Sequence, residues 1–222
     1  MKDVERVEIL VDAGNFYHLV LKKLDIAEID FDYDAFVAFL VNGRSLIAEG
    51  KRLYIGTVRE KEGDSRTRTA MAEQRRFLSV LQSTKWQIKT SKLRSRIEEI
   101  NVDTRVQEHE ALSIAKIGVI HVERMREKGI DVKIATDLIV GAVDDKYDSA
   151  IVVSSDTDLV PAIDWARMRK KKRVEYVGFS IPDKRGELYA SKPTFALIAR
   201  TDVQRILVES DIRRFVKQKL LP

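Results

Sequence analysis

The chain has 222 residues, a hydrophobic fraction of 44%, no cysteine and a formal net charge of +5. This length and content suit one large domain or one domain with an appendage, and they exclude a wholly disordered chain. The lack of cysteine excludes disulfides and thiolate metal sites. With no membrane-spanning run and no signal peptide, we expect a cytoplasmic protein.

The chain begins with a predicted strand over residues 4–11, which start with mixed polarity and finish as an apolar run. Asp12 follows it, and residues 15–24 show helical apolar spacing. Gly14 permits a tight turn between the two segments. The sequence therefore predicts a strand-to-helix corner with a carboxylate at the strand end.

The next part of the chain predicts further helices and strands. The pattern predicts a helix over 34–47 capped by Asp32 or Asp34, a strand over 52–58, a helix over 67–83 and a short strand over 86–89. Residues 90–110 are polar and weakly periodic, so we predict an insertion or mobile segment, with a helix as the alternative. Residues 111–125 fit either a helix or a strand.

From residue 131 onward the pattern is clearer. It predicts a helix over 131–143 capped by Asp131, a buried strand over 150–153, a helix over 158–169, a strand over 174–178 and a final helix over about 202–217. This alternation predicts an α/β, Rossmann-like parallel sheet with helices on both faces. We expect a main domain over 1–190 and a C-terminal helical extension over 191–222 packed on it.

A second acidic corner follows the strand at 150–153. Ser155, Asp156, Thr157 and Asp158 are small, hydroxylated or acidic, and Pro161 suits the first turn of a helix. Carboxyl ends of parallel strands are where such folds bind ligands. A helix cap is the structural alternative for these residues.

Asp12 and Asp156 converge if their strands are neighbours. Crowded carboxylates repel unless a cation compensates, and Mg²⁺ or Mn²⁺ accepts oxygen ligands from a few carboxylates, water and phosphate. Such ions activate water in phosphodiester hydrolysis. Asp137 is a third candidate, with an exposed ion pair to Lys133 as the alternative. Asn15 either orients a ligand carboxylate, contacts phosphate or caps the first helix.

Two basic runs suggest a polyanionic partner. Residues 85–96 carry five Lys or Arg and no acid, and residues 167–173 carry six. Like charges need water or a polyanion around them, and a phosphate backbone is a common polyanion. A solvated helix end is the alternative for each run.

Three ordered blocks, residues 9–16, 127–137 and 147–161, resemble the NYN domain, the LabA-like branch of the PIN-like nuclease superfamily. The resemblance implies a metal-dependent ribonuclease site on a Rossmann-like sheet, with Mg²⁺ or Mn²⁺ as cofactor. Position by position, it implies Asp12, Asp137 and Asp156 as metal ligands, Asp158 as a further catalytic acid and Asn15 as a substrate contact. As other substrate contacts we assign Ser155, Lys128, Lys92 and Arg94.

We therefore expect an endoribonuclease that binds RNA, has no membrane partner and leaves a homodimer open. Ala13 and Leu159 depart from the family pattern, which often has a glycine and an aromatic residue there, but the acids are intact. The alternative is a non-catalytic RNA-binding or regulatory module on the same fold. A nucleotide phosphohydrolase would share the metal chemistry without needing the basic runs.

Overall fold

The computed structural model describes residues 4–58, 63–126 and 129–217. Its strands, in chain order, are β1 (Arg6–Asp12), β2 (Ser45–Thr57), β3 (Gln87–Lys92), β4 (Arg94–Asn101), β5 (Val119–Arg126), β6 (Ser149–Val153), β7 (Arg173–Ser180) and β8 (Val203–Val208). Six of them form one parallel sheet in the order β3-β2-β1-β6-β7-β8. The prediction of an α/β fold with a central parallel sheet is confirmed.

The helices cover both faces of this sheet. They are α1 (Ala13–Phe16), α2 (Tyr33–Val41), α3 (Ser65–Ser83), α4 (His109–Ile114), α5 (Ile130–Val143), α6 (Val160–Lys170), α7 (Phe195–Arg200) and α8 (Glu209–Arg213). A single π-turn, Tyr17–Leu21, extends α1. Among the helices of the described ranges, none combines the length and apolar content that a bilayer crossing needs.

The core has two layers because successive side chains of a strand point to opposite faces. Ile9 and Val11 of β1 pack with Phe16 and the aromatic cluster around α2. Leu10, between them, packs on the opposite face with the apolar sides of α5, α6 and α7. β1 is therefore a central strand that is buried on both faces.

The strand order reverses direction between β1 and β6, which lie side by side with Val11 opposite Val153. At such a reversal, the connections leave toward opposite faces and open a crevice outside the carboxyl ends of the strands. We call this side of the sheet the carboxyl edge, and the side where the strands begin the amino edge. The two acidic corners of the sequence both lie at this crevice.

One predicted helix boundary and one predicted helix cap are wrong for local reasons. The helix predicted over 34–47 ends at Val41, because Asn42 and Gly43 both have positive φ, 50° and 76°, and turn the chain into β2. Asp32 caps that helix as predicted, accepting a hydrogen bond from the Ala35 amide. Asp131 does not cap α5, because the cap position is occupied by Gly129.

Residues 90–110, expected to be an insertion or mobile segment, begin an ordered ribbon. β4 pairs with β5 in an antiparallel two-stranded sheet that is separate from the central one. α4 lies in the connection between the two strands in sequence. The segment 111–125, which fitted a helix or a strand, contains the end of α4 and most of β5.

The helix predicted over 202–217 is wrong over its first half. Val203–Val208 is the edge strand β8, parallel to β7, and only the short α8 follows. Arg205 in β8 reaches the fully buried Glu175 of β7, with Nη2 2.9 Å from Oε2. The sheet therefore extends into the C-terminal part of the chain.

Candidate active site

The first acidic corner is formed by the end of β1. Asp12 is the last residue of β1 and the N-cap of α1, and its Oδ1 accepts a hydrogen bond from the Asn15 amide at 3.0 Å. Ser154, directly after β6, is fully buried and donates its hydroxyl to Asp12 Oδ2 at 3.2 Å. Asp12 itself is 9% exposed. The ends of the two central strands are thus joined through one carboxylate.

The second acidic corner begins two residues after Ser154. Asp156 caps the 3₁₀ turn Thr157–Leu159, with its Oδ1 accepting a hydrogen bond from the Asp158 amide at 2.9 Å. Burial raises the pKa of Asp12, and the negative charge of Asp156 raises it further, against the hydrogen bonds from Asn15 and Ser154. The structure therefore brings Asp12 and Asp156 close enough to interact electrostatically.

Asn15 and Ser155 connect the two corners. The Asn15 side-chain oxygen accepts a hydrogen bond from the Ser155 amide at 3.0 Å. The Ser155 carbonyl accepts a hydrogen bond from Thr194 Oγ1 at 3.1 Å, and its hydroxyl lies 3.3 Å from the Tyr176 hydroxyl. Asn15 therefore does more than begin the first helix, since it fixes the chain that carries the second acidic corner.

The acids at the crevice have no positive partner within the described part of the chain. No lysine or arginine there forms an ion pair with Asp12, Asp156 or Asp158. Buried or crowded carboxylates are stabilised by a cation, and residues 4–58, 63–126 and 129–217 supply none here. This arrangement fits a bound cation better than it fits a structural ion-pair network.

Asp137 lies elsewhere, in a different polar cluster. Tyr54 Oη donates to its Oδ2 at 2.7 Å, Arg52 Nη1 is 3.7 Å away and Lys89 Nζ is 3.9 Å away. Asp137, Arg52 and Lys89 line a cavity of about 150 Å³, together with Glu49, Gln87, Val140, Gly141 and Lys146. Asp137 is thus already compensated by positive charge.

The direction of α5 explains the position of Asp137. The helix begins at the carboxyl edge and runs back toward the amino edge, so that Asp137 lies about 10 Å along its axis from Ile130. Within residues 4–58, 63–126 and 129–217, no three acidic or histidine side chains lie close enough together to hold a metal ion. Asp137 therefore does not form a three-carboxylate group with Asp12 and Asp156.

Asp131, which the sequence pattern predicts as a helix cap, is a further acidic residue near this crevice. It lies in the first turn of α5, half-buried, and α5 packs against the turn Thr157–Leu159 that Asp156 caps. Its carboxylate has no ion-pair partner among the described residues. The direction of a crossover helix could have identified it, because the helix that precedes β6 must begin at the carboxyl edge.

The other residues assigned from the sequence are dispersed. Lys92 ends β3 at the carboxyl edge and is exposed, but β3 lies two strands, about 10 Å, from β1. Arg94 begins β4. Lys128 lies outside the described residues. Ser155 is at the crevice, as described above.

The second basic run, residues 167–173, lies at the amino edge of the sheet, away from the crevice. α6 begins next to the acids and runs to the amino edge, where residues 167–173 lie. Arg167 there pairs with Asp202 at 2.6 Å, and Lys172 pairs with Asp145. This run therefore cannot contact the same phosphate groups as the crevice.

Comparison with known proteins supports the fold and the family. The sequence profile of the NYN domain matches residues 6–198. A solved structure, that of a protein of unknown function, VPA0982, from Vibrio parahaemolyticus RIMD 2210633, is similar with a TM-score of 0.53 and 19% sequence identity, covering 94% of this chain and 96% of that one. At this identity the likeness shows the fold alone. No curated protein matches the chain.

Proposed function

Because the chain belongs to the NYN domain family, whose members are generally nucleases, we propose that it is a metal-dependent endoribonuclease of the LabA-like branch. One observation carries this proposal. Asp12 and Asp156 meet at the topological switch point of a parallel sheet, and no positive side chain of the described residues pairs with either of them.

The acids at the crevice fit a hard divalent cation. Mg²⁺ and Mn²⁺ bind through one or two carboxylates and complete their coordination with water and substrate phosphate. Asp12 and Asp156 would hold the ion, since both lie at the crevice and neither forms an ion pair with a lysine or arginine of the described residues. We assign Asp131 rather than Asp137 as a further acid beside this site that does not itself bind the ion, since Asp137 is occupied by Tyr54, Arg52 and Lys89.

The bound cation would supply a lower pKa for attacking water and stabilisation of charge on the phosphate. The protein's own groups set the geometry around it. Ser154 and the Asn15 amide each donate to one oxygen of Asp12 and thereby orient that carboxylate. The Asn15 side-chain oxygen accepts a hydrogen bond from the Ser155 amide, and the next amide, that of Asp156, donates to the Ser154 hydroxyl at 3.2 Å.

Asp158 has a different position from the other acids. It is exposed in the 3₁₀ turn, and its side chain has no ion-pair partner among the described residues. An exposed carboxylate next to the cation-binding acids can accept the proton that attacking water loses. We assign this proton-accepting role to Asp158.

The test is cleavage of a labelled RNA by the purified protein with Mg²⁺ or Mn²⁺, with and without chelator. We expect cleavage to require the metal and Asp156→Asn to lower the rate by at least about a hundredfold, since it removes a charged ligand. Asp144→Asn is the matched control, because Asp144 follows the last turn of α5 at the amino edge and pairs with Lys146. Cleavage by Asp156→Asn at the wild-type rate would contradict the assignment of the site.

The same assay separates the alternatives. RNA that binds but is not cut with either metal would indicate the non-catalytic RNA-binding module. Hydrolysis of free nucleotides in preference to RNA would indicate a phosphohydrolase, and cleavage of DNA as fast as RNA would leave a nuclease without the proposed substrate preference.

A further inference from the structure

A large aromatic side chain is exposed next to the acidic crevice. Phe195, the first residue of α7, is 85% exposed. Its neighbour Thr194 donates to the Ser155 carbonyl at 3.1 Å, which places Phe195 one residue from the chain that carries Asp156. An aromatic ring that remains in water at this position forgoes the free energy that burial would provide.

The loop that leads to Phe195 is held at several points. Ile181 and Ser191 form an antiparallel bridge through two backbone hydrogen bonds, 3.2 and 2.8 Å. Ser191 Oγ donates to the Leu19 carbonyl at 2.6 Å, and the Thr194 amide donates to Tyr176 Oη at 3.1 Å. The exposure of Phe195 is therefore a property of an anchored segment.

The same loop forms one wall of a cationic cavity. The cavity has a volume of about 420 Å³, and its lining contains four lysine or arginine side chains, two aspartates and one histidine, namely Lys22, Lys23, Lys184, Arg185, Asp25, Asp183 and His18. Asp183 pairs with Lys23 and Arg185, and Asp25 pairs with Lys184. Lys22 has no ion pair with any described residue, so the cavity retains positive charge.

One helix face connects this cavity to the acids. Asn15, His18 and Lys22 follow one another at spacings of three and four residues across α1 and its π-turn, which brings side chains onto one face. Asn15 contacts Ser155 at the crevice, and Lys22 lies about 10 Å further along the helix axis. α1 and its π-turn therefore extend from the acids to the cavity.

Phe195 and the cavity lie on opposite sides of the acids. α1 and its π-turn pack on the face of the sheet that contains Phe16, Val20 and Leu21, whereas α7 packs through Leu197 on the other face. The loop from Ile181 to Phe195 passes between the two faces along the carboxyl edge. A ligand that contacts both the cavity and Phe195 must cross the crevice.

We propose that the segment Ile181–Phe195, with His18 and Lys22, forms a groove that binds single-stranded RNA across the acidic crevice. Phosphate groups occupy the cationic cavity, and an unpaired base stacks on Phe195. This inference rests on the proposed function and specifies its substrate class. Single strands suit the groove because only an unpaired base can be splayed out onto an aromatic ring, and stacking of this kind tolerates any sequence.

The test measures binding separately from cleavage. Fluorescence anisotropy of a labelled oligouridylate of about 12 nucleotides, a length within the usual site sizes, is recorded with Asp156→Asn protein in chelator. Phe195→Ala in this background is expected to weaken binding about tenfold to a hundredfold, and Phe195→Trp to restore it, since stacking needs only the ring. Lys22→Ala is expected to reduce the slope of log affinity against log salt by about one.

Two substitutions at the amino-edge half of the molecule serve as controls. Met168→Ala removes another exposed apolar side chain, 68% exposed, and Lys171→Ala removes another exposed lysine, both at the end of α6 away from the crevice. Neither is expected to change the affinity for the oligouridylate. Because Phe195 and Lys22 are exposed, all variants are expected to keep the wild-type melting temperature.

Two results would overturn the groove. One is unchanged affinity in Phe195→Ala, and the other is equal affinity for the single strand and for the same strand annealed to its complement. A failure of the nuclease proposal has a different signature. In that case the oligouridylate would bind in a Phe195-dependent manner, but the wild-type protein would not cleave it with Mg²⁺ or Mn²⁺.

Discussion

The Asn15 side-chain oxygen accepts a hydrogen bond from the Ser155 amide at 3.0 Å, across 140 residues of sequence. This contact joins the turn after β1 to the turn after β6. It therefore sets the distance between the carboxylates of Asp12 and Asp156, because Asp12 accepts a hydrogen bond from the Asn15 amide and Asp156 directly follows Ser155.

Asn15→Ala is expected to reduce cleavage more than stability. The loss of one hydrogen bond costs about 1 kcal/mol of unfolding free energy. The same loss frees the segment that carries Asp156, so single-turnover cleavage should fall by about tenfold to a hundredfold, as misplaced catalytic groups usually cause. Asn101→Ala, at an exposed position of β4, is the control. Equal cleavage by Asn15→Ala and wild type would show that this contact does not position the acids.

Asp12→Asn is expected to abolish cleavage and to stabilise the metal-free protein at alkaline pH. The folded-state pKa of Asp12 is raised, so its contribution to wild-type stability is present at low pH and is lost as the pH rises through that pKa. Asparagine carries no charge to bury, and the Ser154 hydroxyl can turn to accept from the new amide. Chemical denaturation in chelator at pH 5 and pH 8 measures the difference. A variant that is less stable than wild type by the same amount at both pH values would contradict this account.

Asp131→Asn and Asp137→Asn are expected to have opposite effects. Asp131→Asn should lower cleavage by at least about tenfold with little change in stability, because it removes a carboxylate near the metal ligands. Asp137→Asn should keep cleavage but lower the unfolding free energy by about 1–3 kcal/mol, since Tyr54, Arg52 and Lys89 lose a charged partner. Cleavage assays and denaturation of both variants decide between the two acids. The reverse pattern would show that Asp137, and not Asp131, takes part in cleavage.

Glu8→Gln is expected to flatten the dependence of stability on pH. Glu8 is fully buried in β1, neither of its carboxylate oxygens accepts a hydrogen bond, and the nearest cation is Arg52 at 3.5 Å. Burial raises the pKa of Glu8 from 4.5 to about 7. The protein is therefore most stable below about pH 4.5 with respect to this group and loses up to about 3 kcal/mol as the pH rises past 7.

Urea denaturation between pH 5 and pH 8 measures this loss. Burial raises the pKa of Glu28 to about 7 as well, so Glu8→Gln should remove only part of the slope, and the double variant with Glu28→Gln should remove more of it and leave the part that Asp12 contributes. Glu73→Gln, at an exposed position of α3, is the matched control. A slope that persists undiminished in the double variant would show that other groups control the pH dependence.

The parts of the fold that follow from hydrophobic periodicity were accessible from the sequence. β1, β6 and β7 are short apolar runs, and α5 and α6 have clear helical spacing, so the alternation and the two acidic corners could be placed. That β1 and β6 are neighbours could not be predicted from the sequence, because strand order depends on which connections cross the sheet. The structure supplies this order, and with it the contact between Asp12 and Ser154.

β8 shows why other elements were missed. Its apolar residues Val203, Ile206 and Leu207 fit helical spacing, and only pairing with β7 shows that they belong to an edge strand. The ion pair of Arg205 with the buried Glu175 depends on that pairing and has no local signature. The cationic cavity was missed for the same reason, since its lining comes from two segments that are distant in sequence, such as Asp25 and Lys184, which are 159 residues apart.

The ribbon of β4 and β5 leaves and rejoins the domain at one place. β3 ends at Lys92 and α5 begins at Ile130, and Lys133 in the next turn of α5 donates to the Thr90 carbonyl of β3. The described residues between them contribute no strand to the central sheet. A change in the length of this ribbon would therefore leave the strand order and the crevice intact, which would let the same central sheet acquire different accessory arms.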